Sequence, residues 1–139
     1  MKSYGLEIAV PREARFRGRG VPAIELMASG ENQQFYRIHA IVDSGASRTL
    51  ITSKTAELLG LPDRSATLSM EAAGGAIFYS LARIQFRFPV PKGSPVGIYV
   101  DVGVTYNISD NLLGNDVLRY FSILITPSQV IFLADEQSA

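Results

Sequence analysis

Apolar and polar residues alternate along this chain in short runs, and Gly, Pro, Asn or Ser closes most of them. A period of two is the mark of a strand with one buried face. The pattern predicts strands at residues 6–10, 23–28, 35–42, 48–52, 66–71, 77–88, 98–105, 122–125 and 130–133. Turn chemistry separates them. Gly30 and Asn32 lie between the second and third strands, and Ala72-Ala73-Gly74-Gly75 tips a long hairpin over 66–88. Ser53 reads as the N-cap of a short helix that Gly60 ends, with Leu58, Leu59 and Leu61 burying one side. A second short helix is expected from Asn115 to Arg119 or Tyr120, after Leu112-Leu113-Gly114. Residues 89–97 hold three prolines and two glycines and read as a loop. The alternating Ile123, Ile125, Ile131 and Leu133 are expected in the core and are candidates for a contact face with a second chain.

Many strands and two short helices point to an all-β fold, a small closed barrel or a sandwich. At 139 residues the chain is expected to form a single domain. Its core is placed at about 23–133, after an N-terminal strand and loop over 1–22 and before a polar tail over 135–139.

Composition narrows the chemistry. There is no cysteine, which removes disulfides, a thiol nucleophile and cysteine-based zinc sites. There is one histidine, His39, so multi-histidine metal sites are excluded. No cofactor is expected. Thirteen basic and thirteen acidic residues balance, so no overall basic field favours nucleic acid or an anionic membrane. Neither a signal-peptide core nor an apolar run of transmembrane length is read, and the cytoplasm is the expected compartment. Carboxylates, hydroxyls and backbone remain.

The sharpest local signal is Ala40-Ile41-Val42-Asp43-Ser44-Gly45-Ala46-Ser47. An apolar strand delivers Asp43 into a turn of small residues. Gly45 permits unusual backbone angles, Ala46 leaves space beside the carboxylate, and the Ser44 hydroxyl is expected to lock the turn. Taken alone, the same residues also suit an ordinary strand-ending turn. A second motif, Asn111-Leu112-Leu113-Gly114-Asn115-Asp116-Val117-Leu118, would be weak by itself.

In this order, with the glycine-tipped hairpin between them, the two motifs resemble the retropepsin-like aspartic proteases. The likeness runs from about Ala23 to about Leu133, and the C-terminal hairpin after the second helix is similar to the cellular and bacterial members. The resemblance implies a small acid-protease-like barrel and an aspartic endopeptidase acting on extended peptides. It makes Asp43 catalytic and Ser44, Gly45 and Ala46 the active-site turn. It also implies a flap at Ala72, Ala73, Gly74, Gly75 and Ala76 that covers substrate, with Leu113 and Gly114 in support. Only one Asp-Ser-Gly is present, so a homodimer pairing two copies of Asp43 is implied. Viral relatives often carry an acid and an arginine where this chain has Ser47 and Asn115. The neighbouring Arg48 and Asp116 are expected to form the replacement contact.

Two other readings stand beside this one. The same fold could serve as a non-proteolytic peptide-binding or dimerisation module, or an unrelated small barrel could bind a ligand or RNA. His39 reads as a strand side chain rather than a triad base. Arg15-Phe16-Arg17-Gly18-Arg19-Gly20 reads as a solvated loop, and Asn107-Ile108-Ser109 as a chance glycosylation sequon.

Overall fold

The computed structural model describes residues 3–9, 22–72, 74–88, 96–125 and 129–135. Among them lie ten strands and two short helices. In chain order these are β1 (Ser3–Ala9), β2 (Ala23–Ser29), β3 (Phe35–Val42), β4 (Leu50–Thr52), α1 (Ser53–Leu58), β5 (Leu68–Ala72), β6 (Gly75–Phe88), β7 (Val96–Thr105), β8 (Asn111–Leu113), α2 (Asn115–Leu118), β9 (Phe121–Ile125) and β10 (Gln129–Asp135). The Arg-Gly segment, most of the 89–97 loop and residues 136–139 lie outside the described residues.

The main sheet runs β2-β3-β8-β4-β7-β6-β5, and β2 also pairs with β6. That last pairing, Ala28 opposite Phe86, closes six strands into a barrel and leaves β5 attached outside it. Closure removes the unpaired edges that an open sheet would expose. Alternation fills the interior: Ile24, Leu26 and Ala28 of β2 and Ile84, Phe86 and Phe88 of β6 are all buried. Parallel neighbours are few. β3 runs parallel to β8, and β4 parallel to β7, while β8 lies between β3 and β4.

A second sheet, β1-β10-β9, packs beneath one end of the barrel. Its hinge is aromatic: the Phe88 ring lies 4.8 Å from that of Phe121 and 5.8 Å from that of Phe132. Offset and tilted contacts of this kind add to the area these rings bury. The first strand begins earlier than its apolar pattern suggests, at Ser3, because β10 supplies a full antiparallel partner from Ser3 opposite Asp135 to Ala9 opposite Gln129. The same pairing carries Asp135 into the sheet, where the sequence suggests a tail. The buried residues described on β10 are Val130 and Phe132; the side chains of Ile125, Ile131 and Leu133 lie outside the described set.

Two local expectations change around α1. Its N-cap is Thr52, whose hydroxyl accepts from the Thr55 amide at 3.0 Å, and Ser53 is already helical. Leu58 is half exposed, while Leu59, the C-cap, is fully buried. Gly60 does end the helix, with φ +71°. Past it, the loop leading to β5 is tied to the end of β7, where the Tyr106 hydroxyl donates to Asp63 Oδ1 at 3.2 Å. That carboxylate acceptor, and its charge, raise the Tyr106 pKa above the ordinary phenol value. The sign follows: this bond helps below the ordinary phenol pKa and is lost as pH rises through the raised one. Asp63→Asn is therefore expected to lower the alkaline titration midpoint of Tyr106, read by difference absorbance with Tyr106→Phe identifying the signal. An unchanged midpoint would break the assignment.

Candidate active site

β3 brings Asp43 to the mouth of the barrel. Ile38 and Ala40 point inward, and Val42 pairs with Leu113 of β8, so the strand ends on a rigid support. The Asp43 amide then donates to the Leu113 carbonyl at 3.0 Å. Beyond it the chain reverses. The Gly45 amide donates to Asp43 Oδ1 at 3.0 Å, and the Ala46 amide donates to the Asp43 carbonyl at 3.1 Å. This is an Asx turn built on the acid itself.

The turn is locked by groups other than those expected. Among the described residues the Ser44 hydroxyl makes no hydrogen bond; its backbone carbonyl accepts from Asn115 Nδ2 at 2.7 Å. The Asn115 amide donates to the Ala46 carbonyl at 2.8 Å. Asn115, the first residue of α2, thus holds the turn at two points. Gly45 does not occupy the left-handed region. Its lack of a side chain supplies room, because an added Cβ would fall 3.3 Å from Asp43 Oδ1.

Behind the turn sits a buried polar knot. Thr49 is 1% exposed. Its hydroxyl donates to Asp116 Oδ1 at 2.6 Å, its amide donates to both Asp116 oxygens at 3.0 Å, and its Oγ1 accepts from the Gly114 amide at 3.0 Å. These bonds use the polar groups that burial would otherwise leave unpaired. They also shorten β4, which starts at Leu50 rather than residue 48, since the Thr49 amide is already taken.

The expected Arg48–Asp116 contact is not formed. Arg48 Nη1 donates to the Asp101 carbonyl at 3.0 Å, and the guanidinium lies 5.6 Å from the centre of the Tyr79 ring. The Asp116 carboxylate is instead taken by the Thr49 hydroxyl and amide. Thr49 faces α2, and Arg48 faces β6 and β7. Asn111 is a further support: its amide donates to the His39 carbonyl at 2.9 Å and its Oδ1 accepts from the Thr52 amide at 3.0 Å, tying β3 to β4. Thr49 and Asn111 leave one sequence signal, a polar residue beside an apolar run. His39 pairs outward, with Nε2 3.0 Å from Glu25 Oε2, while Arg37 takes the other oxygen at 2.9 Å.

Leu113 and Gly114 stand directly behind the turn, as the bonds above require. The hairpin tip differs in detail from its sequence reading. Ala72 pairs with Gly75, so Ala72, Gly75 and Ala76 belong to strands, and Gly74 lies in the turn itself. Gly75 has φ +119°, which favours glycine. Ala73 lies outside the described residues. A cavity of about 350 Å³ opens beside the Asp43 turn, lined by Val42, Ser44, Asn115, Leu118, Phe121 and neighbours. Asp43 is half-buried, and no ion pair to it occurs among the described residues. In that same set no three His, Cys, Asp or Glu side chains form a metal-holding group, and no helix is long and apolar enough to cross a membrane.

A six-stranded barrel with an acid on an Asp-Ser-Gly turn, braced by Leu-Leu-Gly and a short helix, has the architecture of an acid protease. Residues 32–120 match the family described as "gag-polyprotein putative aspartyl protease". The chain belongs to that family, and with it to the aspartic-type endopeptidases. The fold is shared with a retropepsin-like aspartic protease from Rickettsia conorii, at 24% identity and TM-score 0.60 over 90% of this chain and 97% of that one. It is also shared with EIAV protease in complex with the inhibitor HBY-793, at 17% identity and TM-score 0.56 over 76% of this chain and 91% of that one. A comparison with curated proteins gives no match.

Proposed function

We propose that two copies of this chain form one peptidase site, with Asp43 of each copy facing a shared water. The carrying observation is that the sequence holds a single Asp-Ser-Gly turn, and its acid follows the end of β3 with one oxygen that, among the described residues, accepts only from the Gly45 amide. One such acid supplies half of the chemistry. The reaction needs a base to take a proton from water and an acid to polarise the scissile carbonyl.

Two carboxyls about 3 Å apart do not both ionise, and the aspartic-protease dyad is the established example of that coupling. One Asp43 keeps its proton and hydrogen-bonds the carbonyl oxygen. The ionised one accepts the proton of the attacking water. The shared proton belongs to the pair rather than to either copy. The tetrahedral intermediate then collapses as a carboxyl donates a proton to the leaving amine. Gly45 and Ala46 keep the approach to the acid open, and the tip at 72–76 lies over an extended substrate as a lid that excludes water.

The half-site makes activity depend on assembly. Specific activity on a peptide library is expected to fall in proportion to concentration once the protein is diluted below its dimer dissociation constant, in parallel with the dimer fraction from sedimentation. A statin-type inhibitor should suppress it throughout. Hydrolysis by a demonstrably monomeric chain, at constant specific activity on dilution, would overturn the shared site.

A further inference from the structure

β6 and β7 form a long antiparallel ladder from Phe88 opposite Val96 to Ser80 opposite Val104. Continued in the same register, the ladder would set Phe78 opposite Tyr106. It does not continue, because the chain bends at Tyr106. The backbone groups of Phe78 on that side should then be left without a partner, at the fourth residue of the strand that leads back from the hairpin tip.

Two side chains replace the missing strand. Asn107 Oδ1 accepts from the Phe78 amide at 3.2 Å, and Thr105 Oγ1 donates to the Phe78 carbonyl at 2.7 Å. The Thr105 hydroxyl is fully buried and also accepts from the Asn107 amide at 3.1 Å, so the two side chains brace each other. A second contact of that hydroxyl, 3.3 Å from Asn107 Oδ1, is the longer one, and its single proton goes to Phe78. The residue between them reaches the loop that leads into the other arm, since Tyr106 donates to Asp63. Three consecutive residues thus hold the β6 root of the hairpin and the loop that leads into β5. Beyond Phe78, the pairing described for the tip is that of β5 with β6 alone, and added Cβ atoms at Gly74 and Gly75 would meet nothing within 4 Å.

We infer that Thr105 and Asn107 are positioning residues that clamp the root of the β5–β6 hairpin and set how far its tip can open. The reading rests on the proposed role of this hairpin as the lid. A lid hinged at Phe78 moves only the short segment past the clamp. A lid released there would swing from Ser80, where the backbone ladder resumes, and would order less readily over a substrate. Substrate affinity should suffer more than the chemical step, because neither residue touches the reacting atoms.

The test uses the full-length protein with Asn107→Ala, Thr105→Val and the conservative Thr105→Ser. Losing one such hydrogen bond should speed exchange of the Phe78 amide about five- to tenfold, with exchange in the barrel strands unchanged. KM for a peptide substrate should rise by about the same factor while kcat stays within about twofold, and Thr105→Ser should restore both readings. Asn107 is exposed, so its variant folds and carries the test even if Thr105→Val does not. Wild-type exchange at Phe78 in Asn107→Ala, or a fall in kcat with KM unchanged, overturns the clamp. The exchange arm stands independently of catalysis. If the wild type proves to have no Asp43-dependent activity, the proposed function fails while exchange at Phe78 still decides the clamp.

Discussion

Asp43→Asn is expected to lower kcat/KM for peptide hydrolysis by at least about a thousandfold, the scale that general acid–base groups contribute. The substitution is nearly isosteric. The asparagine side chain keeps a carbonyl oxygen where Asp43 Oδ1 now accepts from the Gly45 amide at 3.0 Å, and the backbone bonds from Asp43 to Leu113 and Ala46 involve no side chain. The fold and the unfolding midpoint should therefore stay as they are, and the loss is chemical. An amide can neither accept the proton of the attacking water nor supply one to the carbonyl. Mixing sharpens the measurement. Excess Asp43→Asn chain added to wild type should draw the active chains into mixed dimers and extinguish the remaining activity. Full activity in the variant would favour a binding module that carries the fold without the chemistry. Activity that survives mixing, with exchange of subunits demonstrated, would argue that one copy suffices.

How much of this is legible in the sequence varies with the range of the physics involved. Period-two alternation and turn residues are local, and they locate β2, β3 and the hairpin over 66–88 to within a few residues. The resemblance of two short motifs gives the barrel. Pairing between distant strands is not local. Nothing in the alternation says that β2 closes on β6 or that β10 extends the first strand back to Ser3, because those partners meet only after collapse. Side-chain direction fails for the same reason. Arg48 and Asp116 are complementary in sequence, yet the chain bends at Arg48 and it is the Thr49 hydroxyl that takes the carboxylate. The sequence suggests that Ser44 and Gly45 act through a hydroxyl and unusual dihedrals; the turn instead uses a carbonyl, an Asx bond and the absence of a Cβ. Thr105 and Asn107 are invisible as a pair, since their role exists only where a ladder stops.

Gly114→Ala is the second substitution with a large expected effect, and it acts through space alone. Gly114 has φ −95° and ψ −177°, extended backbone that alanine adopts freely, so no conformational penalty arises. Its Cβ, however, would fall 2.6 Å from the Arg48 carbonyl carbon, 2.7 Å from the Arg48 oxygen and 2.8 Å from the Ala46 oxygen. None of these atoms is the movable end of a side chain. The segment leaving the Asp43 turn must shift, and with it the Asn115 bond to Ala46 and the Thr49 bond to the Gly114 amide. Overpacking against backbone falls at the upper end of such costs, about 3 kcal/mol. A lower urea midpoint at unchanged slope should report it. Peptidase activity should fall further than the unfolded fraction explains, because the displaced segment closes the turn that holds Asp43. Gly74→Ala is the comparison, since its Cβ meets nothing within 4 Å and its cost should stay within about 0.5 kcal/mol. Equal midpoints for the two variants would mean that Gly114 does not press against Ala46 and Arg48 as closely as these distances require.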